Sequence, residues 1–172
     1  MLRVARLSLV LVLALTVQTT WLADLRPFGE TGDLLLLLAI AAGMAGGPVR
    51  GATVGFVAGV AMDLVLLSPF GLSSLTYLTV GFVVGTVHDG VLRSAPWIPV
   101  LVSLVASALG IVFLVMLGQL VGQQFRVPNL PRIVAVTAVM NTVLAFPALF
   151  VARWIEKAAP DRLLQPSMRG LR

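Results

Sequence analysis

Few side chains in this sequence have both the type and the setting to do chemistry, and Asp63 leads them. It is the one acidic residue well inside an apolar run, GFVAGVAMDLVLL. An ionised group at bilayer depth costs a few kcal/mol, so such a residue faces a partner, a cavity or a pathway. Three roles fit it: a proton or cation relay, a polar contact that fixes helix or subunit assembly, or a carboxylate near enough to the outer interface to be solvated. Asn141 is an amide within the last long apolar segment, suited to bonding between helices. With Asp63 it makes a candidate polar site. Ser73, Ser74, Thr76, Tyr77 and Thr79 give one segment a polar half, and such hydroxyls mostly bond the preceding turn or a neighbouring helix. His88 and Asp89 adjoin at a segment end, where a solvated loop is the expected setting.

Asp63 and Asp89 each close a repeat. GFVAGVAMD at 55–63 returns as GFVVGTVHD at 81–89. A four-residue step keeps side chains near one helix face, so Gly51, Gly55, Gly59 and Asp63 form one stripe and Gly81, Gly85 and Asp89 another. Small residues let helix backbones approach closely in lipid, where packing drives association. The two stripes, with Gly71 and Tyr77 between them, are therefore expected to be the packing and assembly surface. Neither glycine run is a phosphate loop, because the strand-to-helix context, the lysine and the Ser/Thr of such a loop are missing.

The sequence has no cysteine and one histidine, which rules out disulfides, thiolate-bound metals and a multi-histidine site within one chain. No paired carboxylates or Ser-His-Asp set is visible. No catalytic residue, cofactor or metal is expected, and the reading is non-enzymatic.

These residues need helices in a membrane to position them. Of 172 residues, 59% are hydrophobic and 11% charged, against roughly 25% charged in soluble domains. Mean hydropathy is +1.03. The net charge of +5 does not mark a nucleic-acid binder, since the basic residues sit at the ends of apolar segments. The pattern predicts an all-α, polytopic, single-domain membrane protein with about six short spans, near 7–23, 34–47, 51–67, 72–87, 97–117 and 133–152, and a short basic tail, 153–172. The first segment is read as an uncleaved helix rather than a signal peptide, as no small-x-small cleavage site precedes Asp24. The second, 14 residues, is about 21 Å long against a hydrocarbon core of roughly 30 Å, and it either thins the bilayer or turns at 48–50 into the third. A brief turn at Ser68-Pro69-Phe70-Gly71 predicts that the third and fourth helices pack antiparallel. Pro147 should kink the sixth. The loop at 118–132 carries Gln123, Gln124, Arg126 and Asn129, which suit an extracytoplasmic contact. Nine Lys and Arg residues fall on one side and Arg26, Arg126 and Arg132 on the other, which places both termini in the cytoplasm.

The run Gly51, Gly55, Phe56, Gly59, Asp63, followed by Pro69-Phe70-Gly71, Leu75, Tyr77, Gly81 and Gly85, resembles MreD, the rod-shape-determining membrane protein family of bacteria. Size, basic start and short spans match as well. The resemblance implies a non-enzymatic role in cell elongation and peptidoglycan synthesis, in the cytoplasmic membrane. Its implied partners are MreC and the complex of RodA with a penicillin-binding transpeptidase. That family also looks like the six-helix substrate-binding components of energy-coupling-factor transporters, so a small-molecule binder is the rival expectation. The sequence shows no concentrated polar pocket of the kind a vitamin carrier needs.

Overall fold

The computed structural model describes residues 2–24, 32–65, 69–87, 97–122 and 129–157. Among them are seven helices and no strand: α1 (Leu2–Asp24), α2 (Leu34–Gly46), α3 (Pro48–Val65), α4 (Leu72–Thr86), α5 (Ile98–Leu120), α6 (Leu130–Val143) and α7 (Ala145–Glu156). Each apolar segment read from the sequence carries a helix among its described residues. His88, Asp89, Gln123, Gln124, Arg126 and the tail beyond Lys157 lie outside the described residues.

Three of these helices, α1, α3 and α5, are long and apolar enough to cross a membrane, and the bent pair α6 and α7 makes a fourth when taken as one span. At 13 and 15 residues, α2 and α4 reach only about 20 and 22 Å.

The short α2 turns into α3 as the hairpin expectation has it, and the two helices pack along each other. Every residue from Leu35 to Met44 is buried, because α3, α4, α5 and α7 pack around it with α1 alongside. A helix that is apolar on all sides belongs in the centre of a bundle. Walled in by protein, α2 has no lipid to match and need not be long.

Two boundaries differ from expectation. The turn between α2 and α3 is Gly47 alone, at φ 79°, and Pro48 already opens α3 instead of belonging to the turn. Proline suits a first helical position, where its missing N–H would have no partner in any case. The kink expected at Pro147 is a full break at Leu144, with α6 and α7 meeting at 56°. Pro147 sits in the first turn of α7 and cannot donate to the Val143 carbonyl four residues back, so the ladder opens just before it.

Candidate functional site

The antiparallel hairpin of α3 and α4 is built from the glycine stripes. A Cβ added at Gly51 would stand on the Gly81 carbonyl oxygen, one at Gly55 on the Tyr77 carbonyl, and one at Gly59 on the Ser74 backbone. Towards the other end, a Cβ at Gly85 would strike Pro48. Partner numbers on α4 fall as those on α3 rise, so the helices run oppositely with backbones in contact for almost their whole length. Gly43 of α2 joins them: a Cβ there would lie 2.5 Å from the Gly81 carbonyl oxygen.

Asp63 closes this hairpin. In the last turn of α3 and only 4% exposed, it receives the N–H of Gly71 at 3.0 Å, of Ser73 at 3.0 Å and of Ser74 at 3.1 Å, plus the Ser74 hydroxyl at 2.7 Å. The local reason is Gly71. It takes the N-cap position of α4 at φ 102°, and having no side chain it leaves the helix start uncapped. Orphan first-turn donors and the positive end of the helix dipole both attract an anion. The carboxylate that serves α4 therefore comes from α3, as an N-cap supplied across the turn.

A second carboxylate organises the same end of the bundle, and sequence reasoning missed it. Asp33 caps α2, its Oδ1 accepting from Leu36 N–H at 3.0 Å, while Tyr77 donates its hydroxyl to Oδ2. Gln18 of α1 brings its Nε2 within 3.5 Å of Oδ1 and 3.6 Å of Met62 Sδ, and its Oε1 accepts from Leu34 and Leu35 N–H at 2.9 and 3.2 Å. The Asp33 N–H donates to Asn141 Oδ1 at 3.0 Å, and Asn141 Nδ2 donates to Ser107 Oγ at 3.0 Å. Five helices thus converge on the start of α2. Burial pushes the Asp33 carboxyl above its ordinary range, against the bonds from Leu36, Tyr77 and Gln18 that favour its ionised form. Two signals for this cluster were available: Asp33 directly precedes a leucine run, as an N-cap does, and Gln18 is the one amide inside the first apolar segment.

Asp63 and Asn141 do not share one site. Asp63 serves the start of α4, and Asn141 serves Asp33 and Ser107. Tyr77 stands between the two clusters, packed against Gly55 through its backbone and bonded to Asp33 through its hydroxyl. Thr76 and Ser103 are fully buried, and their hydroxyl oxygens have no hydrogen-bond partner among the described residues. The described residues hold no group of three or more His, Asp or Glu able to take a metal. Both carboxylates are occupied by donors from neighbouring helices, an arrangement that fixes helix positions.

A family model described as rod shape-determining protein MreD matches residues 3–154. The chain belongs to the MreD family. That membership implies a role in rod-shape determination, and the family is one of shape-determining membrane proteins, not of known enzymes. The matched region runs from the first turn of α1 to the last turn of α7 and takes in both carboxylate clusters. No curated protein and no solved structure matches the chain.

Proposed function

We propose that this member of the family is a non-enzymatic scaffold of the cell-elongation machinery, crossing the cytoplasmic membrane six times with both termini inside. The buried α2, the glycine-packed hairpin and the Asp33 and Asp63 clusters form a rigid core, on which the faces of α1, α5 and α6 are presented to MreC and to the RodA–transpeptidase pair. The observation that carries this reading is the family match over almost all of the described helices. The cavity between α4 and α5, about 590 Å³, also supports a scaffold over a small-molecule carrier. Thr79 is the one polar residue lining it, and its hydroxyl is already donated to the Leu75 carbonyl at 2.7 Å. A vitamin would find no polar anchor there, whereas ligand pockets ordinarily place several.

The test is functional replacement in a rod-shaped host lacking its own copy, with co-purification of MreC. The wild-type chain should restore rod shape and bring MreC down. Round cells despite normal membrane levels, together with absence of MreC from the purified material, would sink the proposal. Asp63→Asn, which keeps size and hydrogen-bonding capacity, should retain more function than Asp63→Leu. Equal, full function of both would remove Asp63 from the site.

A further inference from the structure

At the end of the bundle opposite Asp33 and Asp63, three guanidiniums converge on the last turn of α7. Glu156 is shared, its Oε2 3.6 Å from Arg3 Nη2 and its Oε1 3.8 Å from Arg50 Nε. Arg3 Nη2 also donates to the Glu156 carbonyl oxygen at 3.0 Å. Arg6 Nη1 donates to the Trp154 carbonyl oxygen at 2.9 Å while its guanidinium lies 4.2 Å from the centre of the Trp154 ring. Arg153 and Lys157, both exposed, belong to the same turn. Glu156 is the one acid at this end among the described residues, since Asp24, Asp33 and Asp63 all belong to the other. Among the described residues, one carboxylate and the carbonyl end of a helix dipole stand against five basic side chains, Arg3, Arg6, Arg50, Arg153 and Lys157.

Arg3 Nε is itself buried, with no hydrogen-bond partner among the described residues, so the charge of the cluster reaches the outside through its neighbours. Arg50 remains open, its side chain 46% exposed. Planar guanidinium forks match phosphate oxygens two at a time, a geometry that a lysine cluster lacks. Trp154, 40% exposed, stands beside them as aromatic residues do at headgroup depth. We propose that Arg3, Arg6 and Arg50 form a binding site for the phosphate of an anionic phospholipid headgroup, filling the place between α1, α3 and α7. A zwitterionic headgroup brings its own ammonium and cancels much of this attraction.

The full-length protein, reconstituted in phosphatidylcholine containing a minor share of phosphatidylglycerol and re-extracted, would be examined by native mass spectrometry for retained lipid. Phosphatidylglycerol should be enriched over phosphatidylcholine. Arg50→Gln should weaken that preference about fivefold, the equivalent of ~1 kcal/mol per juxtamembrane cation, and Lys157→Gln should weaken it much less. Equal retention of the two lipids, or equal loss in Arg50→Gln and Lys157→Gln, would overturn the site in favour of a diffuse surface field. Displacement of the lipid by soluble glycerol phosphate would overturn the lipid assignment as well. Arg6→Gln, acting from α1, should lower retention as Arg50→Gln does and gives the readout if the latter does not fold; no loss there overturns the proposal.

Discussion

The α3–α4 hairpin and the α5–α6 pair are both antiparallel neighbours in one small bundle, yet they are held by different forces. In the first, backbone lies on backbone, and the contact ends in a carboxylate bonded to three amides and a hydroxyl. In the second, few residues are buried: Thr137, Ala138 and Asn141 on α6, with Ser103, Ala106, Ser107 and Gly110 along the middle of α5. Its large side chains, among them Leu101, Leu109, Met116, Val139 and Val143, face outward. Backbone contact fixes a spacing that no rotamer change can relax, whereas side-chain contact adjusts. The hairpin is therefore the rigid reference of the fold, and α5 and α6 offer the apolar faces on which lipid or a partner helix can settle.

The comparison breaks most visibly at Gly51. Gly51→Val drives a branched side chain into the Gly81 carbonyl, where only backbone movement makes room, and overpacking already costs about 1–3 kcal/mol in cores that can relax. Little or no folded protein should be recovered, judged by monodisperse elution in detergent. Asp63→Leu comes next: it strands the Ser73 and Ser74 amides, and each buried unpaired donor costs about 1–3 kcal/mol. Its expected signature is a large drop in thermal midpoint with some folded protein remaining. Tyr77→Phe removes one hydroxyl from Asp33 and keeps the ring, so a loss of about 1 kcal/mol is expected by the same measurement. The smallest effect belongs to Gly110→Ala on α5. There a new Cβ meets side-chain ends, Leu36 Cδ2 at 3.1 Å and Val80 Cγ2 at 3.3 Å, which can shift by a few tenths of an ångström, and the change should stay within about 1 kcal/mol. Gly110 faces α2 and α4, so this change reads side-chain contact on α5, and damage equal to that of Gly51→Val would undo the contrast between backbone contact and side-chain contact.

Much of this architecture was legible in the sequence because glycine spacing and apolar length act locally. The stripes at Gly51, Gly55 and Gly59 and at Gly81 and Gly85 predict close approach, and the short link through Gly71 predicts which helices make it. What could not be read was depth. Leu34 to Leu38 is a run that either lipid or a protein core would accept, and only the packing of α3, α4, α5 and α7 around it decides that α2 is the core. Asp33 was hidden for a related reason, since an acid between a glycine and a leucine run reads as a loop residue until Gln18, Tyr77 and Asn141 arrive from distant parts of the chain. Asp63 announced itself because its sequence neighbours are apolar on both sides. The Leu144 break was misplaced by three residues because proline disturbs the turn before it, not its own position.

The enclosure of α2 has a consequence in time. During synthesis α2 leaves the ribosome second, but α7, which covers part of it, is made last of the described helices, and chains begin folding from their N-terminal side. Until α7 is inserted, one flank of the leucine helix lacks its protein wall, and the Arg3 and Arg6 side chains of α1 lack the carbonyls they will cap. The first and last helices therefore meet in the closing step of assembly, so that a chain halted before α7 lacks the contact that completes the bundle around α2.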